Sequence, residues 1–272
     1  MRISQIIAGE KGLSRTDVIA AVCLALDLTK EQLFRHMDRE IAGDDLGAVQ
    51  KVIAERAAGR PLAYMTGTRE FFSETFSVNE AVLIPRPETE VLVEEALALI
   101  GDRRDLRVLD MGTGSGAIGI IIAKHTGNRV VCVDISGAAL AVAHGNARSI
   151  GVEERTRFVC SDLFAAFSDG TRFDMILSNP PYVADDEWDS LMADVRDFEP
   201  ARALRGGEGG LEVYRRIAAE LPRRLAPGGS VLLEIGSVAQ AGSVGAMLGE
   251  AGLRVSVIKD YSGRERVLAG HG

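Results

Sequence analysis

From about residue 88 onward the chain alternates short, nearly unbroken apolar runs with longer segments of helical period. LRVLDMG, RVVCVDIS, RTRFVCSD, FDMILSN, GSVLLEIG, LRVSVIKD and ERVLAG read as strands. Between or before them, TEVLVEEALALI, AIGIIIAKH, GAALAVAHGNARSIG, LEVYRRIAAELPRRL and QAGSVGAMLGEAG read as helices. Strands that are apolar on both faces need cover on both faces, and helical crossovers supply it, so the pattern predicts a largely parallel α/β sheet. Folds of this kind hold their ligands outside the carboxyl ends of the strands. The polar residues that follow each strand are therefore the candidates for function.

The first 75 residues have helical period instead. In SRTDVIAAVCLALDL, Ser14 is an N-cap candidate with Asp17 three residues on, and Val18, Val22, Ala25 and Leu26 form one apolar stripe. DLGAVQKVIAERAAG repeats the pattern and ends in Gly59, a C-terminal stop. The aromatic and β-branched stretch EFFSETFSVNEAVLIP predicts a short hairpin. The expected organisation is a helical domain over 1–75, a hairpin linker over 76–87 and an α/β domain over 88–272.

A net charge of −8 argues against a general nucleic-acid binder. Cys23, Cys132 and Cys160 are dispersed in apolar contexts and read as buried free thiols; with four scattered histidines they give no ligand spacing, so no metal is expected. Charges come too early at the N-terminus for a secretory signal, and no apolar run reaches membrane-spanning length. The expected location is the cytoplasm.

Four strand ends carry the chemistry. DMGTGSGA (110–117) joins the first sheet strand to a helix, and Gly112, Gly114 and Gly116 let a ligand approach the backbone without meeting Cβ atoms. Asp134, twenty residues after Gly114, ends the second strand and can accept both hydroxyls of a ribose. At the third, Asp162 can accept from the exocyclic amine of adenine while Leu163 covers the ring. Gly112, Gly114 and Ala117 also satisfy the dinucleotide G-x-G-x-x-G/A pattern, so these residues alone leave NAD and S-adenosylmethionine both open.

The fourth strand end, SNPPY, separates them. Proline neither donates to a ladder nor continues a helix, so the strand must break there. A planar amide or amine nitrogen is a poor nucleophile because its lone pair is delocalised. Two acceptors set at its N–H bonds hold it in line with a methyl donor and stabilise the positive charge that grows on it. The Asn179 side-chain oxygen and the Pro180 carbonyl offer those acceptors, Pro181 makes the turn rigid, and Tyr182 can stack on the planar group. An oxidoreductase has no use for this turn, so an adenosyl methyl donor is the expected ligand.

These motifs, with IPRPETE (84–90) and RPLAYMTGTREFFSETFSVNE before it, resemble the release-factor glutamine methyltransferases of the HemK/PrmC family. VDIS, SDLF, FEPARAL, LEIG and the terminal KDYSGRERVLAG follow in family order, so the resemblance spans nearly the whole chain. It implies a Rossmann-like class I methyltransferase fold, with a mostly parallel seven-stranded sheet, behind a small helical domain. It also implies N5-methylation of the glutamine in the Gly-Gly-Gln loop of class I peptide chain release factors. The cofactor would be S-adenosyl-L-methionine, with S-adenosyl-L-homocysteine as product. Residue by residue, Gly112, Thr113, Gly114, Ser115 and Gly116 match the family's cofactor loop and Asp134 its ribose-binding acid. Asn179, Pro180, Pro181 and Tyr182 match its substrate-amide site, with Asn179 also beside the cofactor. Leu163 stands where some members place a tryptophan.

Arg86, Glu88 and Glu90, just before the first helix of the α/β domain, have two readings: helix capping and domain linking, or direct contact with ligand or substrate. Residues 183–200 hold seven carboxylates and one arginine, either a solvated loop or an acidic, mobile lip for a basic protein partner. NPPY is shared with adenine methyltransferases, so adenine-N6 methylation of DNA or RNA is the competing activity, and an inactive adapter is the non-enzymatic one. The acids near the site favour a protein substrate without direct nucleic-acid or membrane contact. A monomer is expected.

Overall fold

The computed structural model describes residues 1–272, which form two compact units. One comprises Met1–Gly67 with Met192–Phe198; the other comprises Thr68–Leu191 with Glu199–Gly272. The helical unit contains α1 (Ile3–Gly9), α2 (Arg15–Leu26), α3 (Lys30–Arg35), α4 (Gly43–Ala57) and α5 (Leu62–Thr66). Ser14 caps α2 as its sequence predicts: its Oγ accepts the Asp17 N–H at 3.0 Å and donates to the Asp17 carboxylate at 2.7 Å. Ile3, Ile7, Val18, Val22, Leu33 and Val49 close this unit's own core.

In the larger unit, β1 (Thr68–Phe71) and β2 (Glu74–Ser77) form the hairpin. It lies over 68–77, overlapping the stretch EFFSETFSVNEAVLIP read as a hairpin and beginning ahead of the 76–87 linker, and belongs to the α/β unit. Phe72 and Ser73 both take positive φ (52° and 61°), the tight-turn geometry whose twist matches that of the strands. The Phe72 N–H donates to the Glu90 carboxylate at 2.9 Å, which holds an aromatic residue in a conformation it seldom adopts.

The sheet contains β3 (Arg107–Met111), β4 (Arg129–Asp134), β5 (Thr156–Cys160), β6 (Phe173–Ser178), β9 (Leu225–Glu234), β10 (Arg254–Lys259) and β11 (Glu265–His271). The short β7 (Val183–Ala184) and β8 (Arg205–Gly207) pair with each other outside it. Strand order is β10-β11-β9-β6-β3-β4-β5, parallel from β9 to β5, with β11 antiparallel to both β9 and β10. Side chains alternate between two cores. Val108, Leu177, Leu232 and Val267 meet α6 (Glu90–Ile100) and α7 (Ala117–Thr126) on one face; Leu109, Ile176, Leu233 and Leu268 meet α10 (Glu212–Arg224) and α11 (Val238–Glu250) on the other. The helix α8 (Gly137–Ile150) follows β4, and α9 (Ala193–Phe198) lies in the segment assigned to the helical unit. Of the three free thiols, Cys132 is buried, Cys23 is intermediate and Cys160, at the end of the outermost strand, is exposed, contrary to its expected burial.

Candidate active site

Sheet register brings the strand ends into one row. Met111 pairs with Val133 on one side and Ser178 on the other, and Ser178 pairs with Leu233. The next residue along each strand is Gly112, Asp134, Asn179 and Glu234 respectively. The order reverses between β3 and β6, the point where parallel sheets open a crevice. Ser178 Oγ donates to the Met111 carbonyl at 2.7 Å, tying those two strand ends together.

The glycine loop is held from beneath. The N–H groups of Gly112 and Thr113 both donate to the Val133 carbonyl, at 2.8 and 2.9 Å. Gly114 N–H donates to one Asp134 carboxylate oxygen and Ser136 N–H to the other, each at 2.9 Å. The Asp134 carboxylate is thus fixed in orientation, with lone pairs left for a ligand. Gly112 and Gly114 have φ of 70° and 55°, and a Cβ built on either would meet nothing within 4 Å, so open space lies above the loop. Ser115 is buried, and Asn146 reaches its carbonyl from α8 while bonding both backbone groups of Ser77. This buried amide couples the hairpin to the loop. These features fit an adenosyl ligand: glycines with open space over them, and an oriented carboxylate at the neighbouring strand end.

Asp110 sits under the loop, fully buried. The Thr113 hydroxyl and Gly119 N–H donate to its Oδ2, while Oδ1 has no partner. Burial pushes its carboxyl up to about 6, against those two bonds. Its ordinary value is 3.8, so between roughly pH 4 and 6 the folded protein holds a proton that the unfolded chain has lost. Stability from this group falls as pH rises through that window and is level above it. Asp110→Asn removes the slope. In urea melts the variant should gain on the wild type from pH 4 to 6.5 and then hold constant; an unchanged difference between pH 4 and 7 would contradict the assignment.

Past β6, Pro180 is buried while Asn179 and Tyr182 are partly exposed. Asn179 Nδ2 donates to Thr89 Oγ1 at 3.2 Å, so the side-chain oxygen is the end left facing outward. The Tyr182 ring lies against Gly236, where a Cβ would come within 2.4 Å of it. Gly210 packs equally close, with a Cβ position 2.1 Å from the Tyr182 carbonyl. Gln240 Nε2 donates to that carbonyl at 2.7 Å, and Gln240 Oε1 accepts the Gly236 N–H at 2.9 Å. The turn is therefore clamped on its own backbone. Burial, then the nearby Glu234 carboxylate, lifts the Tyr182 phenol to about 12, so it stays neutral.

The remaining candidates are arranged differently. Asp162 is ion-paired with Arg216 at 2.7 Å, both side chains about half exposed, and Leu163 adopts the left-handed region at φ 49°. Arg86 pairs with the buried Glu199, which also accepts the Ile84 N–H at 3.2 Å. The IPRP segment is thus anchored to the FEPARAL segment from inside the larger unit. In the acidic stretch a 3-10 helix spans Asp185–Ser190 and α9 follows. Arg205 lies 4.1 Å over the Trp188 ring. Thr89, Glu234, Gln240, Gly210 and Gly236 are site residues that sequence reasoning passed over, though Thr89 lies in IPRPETE and Glu234 and Gly236 in LEIG.

Two families match by domain: the methyltransferase small domain over residues 88–208 and the PrmC N-terminal domain over 7–67. The release factor glutamine methyltransferase of Koribacter versatilis (strain Ellin345) is 43% identical over 213 residues, 78% of this chain and 75% of its own. That of Bordetella pertussis (strain Tohama I) is 38% identical over 273 aligned positions, 100% of both chains. Among solved structures, the T. thermophilus 16S rRNA N2 G1207 methyltransferase (RsmC), in complex with AdoMet and guanosine, has a TM-score of 0.54. It is 19% identical and the match covers 75% of this chain and 49% of that one, a likeness of fold alone.

Proposed function

The chain belongs to the release factor glutamine methyltransferase family, and we propose that it methylates the side-chain amide nitrogen of the Gly-Gly-Gln glutamine in class I peptide chain release factors. The observation that carries this reading is the Asn179 amide, held by its nitrogen so that its oxygen is presented beside the open glycine loop. S-adenosyl-L-methionine, when bound, supplies an electrophilic methyl group and leaves as S-adenosyl-L-homocysteine. Gly112 to Gly116 and Asp134 would hold it, with Asp162 and Leu163 at its adenine end.

The substrate amide is held by acceptors. Asn179 Oδ1 and the Pro180 carbonyl take its two N–H bonds, which fixes the nitrogen in line for transfer and favours the positive charge it gains. Tyr182 stays a neutral packing surface for the planar amide, because its phenol titrates far above neutrality. The amide proton becomes acidic once nitrogen is alkylated, so no strong base is required.

Charge supports a protein substrate over a nucleic acid. Arg86, Arg205, Arg216 and Arg266, near these strand ends, are ion-paired with Glu199, Asp185, Asp162 and Asp260. Guanidinium groups already neutralised offer little to a phosphate backbone. In the same reading, the helical unit binds the release factor away from its loop and orients it. The test offers tritiated S-adenosylmethionine and this protein an intact class I release factor, its Gly-Gly-Ala variant and unmethylated duplex DNA. Label on the intact factor alone is expected; label on DNA would transfer the site to adenine chemistry.

A further inference from the structure

The turn after β6 is gripped by a side chain from α11. Ser237 caps that helix, its Oγ accepting the Gln240 N–H at 3.3 Å, so Gln240 stands in the first helical turn. A glutamine at that position ordinarily closes a capping box on the cap residue's own N–H. Here the side chain is used differently. Its Oε1 accepts the N–H of Gly236, ahead of the cap, at 2.9 Å, and its Nε2 donates to the Tyr182 carbonyl at 2.7 Å, 58 positions away. A carbonyl only accepts and a backbone N–H only donates, so these partners permit one orientation of the amide. Gln240 is 7% exposed, which leaves little water to replace either bond.

Both partners bear on Tyr182. One is its own carbonyl. The other is the N–H of the glycine on which its ring lies, where a Cβ on Gly236 would stand 2.4 Å from the ring. The neighbouring main chain is as close: a Cβ on Gly210 would stand 2.1 Å from the Tyr182 carbonyl, and one on Gly206 would stand 2.7 Å from the Pro181 carbonyl. We propose that Gln240 is a positioning residue for methyl transfer: by joining the Tyr182 carbonyl to the bed of the Tyr182 ring, it holds that ring where the substrate's planar amide packs. This rests on the reading of the turn given above.

A role confined to the helix would look different. The N–H that a cap serves already has the Ser237 hydroxyl. Were Gln240 needed only by α11, replacing it would lower thermal stability and leave the rate of the folded enzyme unchanged. A hold on Tyr182 acts on the rate, because a ring free to leave its bed no longer fixes the amide in line for transfer. Cofactor affinity is a separate readout, since the glycine loop and Asp134 stand at the ends of β3 and β4 and share no hydrogen bond with Gln240.

The experiment measures single-turnover methylation of an intact release factor with tritiated S-adenosylmethionine, for wild type, Gln240→Met, Gly236→Ala, Tyr182→Ala and the Gln240→Met/Tyr182→Ala double variant. Methionine keeps the length of the side chain and removes both bonds. The maximal rate should therefore fall on the order of tenfold, while the half-saturating factor concentration rises less. Gly236→Ala pushes the ring off its bed with Gln240 still in place, and should give the same signature. S-adenosylmethionine affinity, by calorimetry, should stay within about twofold of wild type in every variant. The decisive comparison is the double variant: a residue acting only through the Tyr182 ring has nothing left to do once the ring is gone, so its loss should vanish there. A Gln240→Met loss that persists in the Tyr182→Ala background, a Gln240→Met enzyme as fast as wild type, or a rate loss matched by lost cofactor affinity overturns the positioning role alone. No label from the wild type overturns the glutamine reading and this proposal with it.

Discussion

Asn179→Ala lowers turnover on the release factor on the order of a hundredfold, with S-adenosylmethionine affinity changed much less. The magnitude follows from what the side chain does. One acceptor that strengthens as charge grows on the transferred centre contributes about 3 kcal/mol when it is pre-oriented and partly shielded from water. Asn179 is pre-oriented by the 3.2 Å bond to Thr89, and the turn that carries it is clamped by Gln240 and by close packing on Gly210 and Gly236. The ground-state amide is bound more weakly by the same oxygen, so the rate constant should fall more than the Michaelis constant for the factor rises. Rapid-quench single turnovers separate the two. Equal losses in turnover and in cofactor affinity would make Asn179 a residue of the cofactor site or of the fold.

The sheet was legible because each strand is apolar on both faces and punctuated by a polar residue at its carboxyl end. Asp134 and Asn179 could be singled out for that reason, and register then sets them in one row with Gly112. The hairpin was legible in EFFSETFS, but the linker range was set too late because the turn, Phe72-Ser73, has neither the Asn nor the Gly that a two-residue hairpin turn ordinarily carries; Glu90, eighteen positions on, stabilises it. Long-range pairing of this sort leaves no periodic trace. The same holds for Arg86, whose partner Glu199 is 113 residues away, and for Asp162, whose charge is shared with Arg216. Cys160 read as buried from its apolar neighbours, but an outer strand has one side without a neighbouring strand. Thr89 and Glu234 were invisible for a different reason. A threonine before a helix is ordinarily a cap, and only the fold shows its hydroxyl accepting the Asn179 amide N–H, or the strand-end glutamate fully buried.

Asp134→Ala should weaken S-adenosylmethionine binding on the order of a hundredfold and leave turnover at saturating cofactor much closer to wild type. Hydrogen bonds to a charged acceptor each contribute about 1.5–3 kcal/mol, and two ribose hydroxyls can share this carboxylate. Their joint loss, allowing for water that replaces the carboxylate, comes to about 3 kcal/mol, or two decades in the dissociation constant. A second cost adds to it: Gly114 and Ser136 N–H lose the acceptor that shapes the loop. Asp134→Asn separates these contributions. An asparagine keeps one oxygen for the loop but turns the other acceptor into a donor, so it should bind the cofactor better than alanine and worse than aspartate. Calorimetry on the three proteins reads the order directly. Should asparagine match aspartate, neither the negative charge nor the second acceptor oxygen matters, and one oxygen serves both loop and ligand. Should alanine match aspartate, the ribose lies elsewhere, and the row of strand ends is not the cofactor's bed.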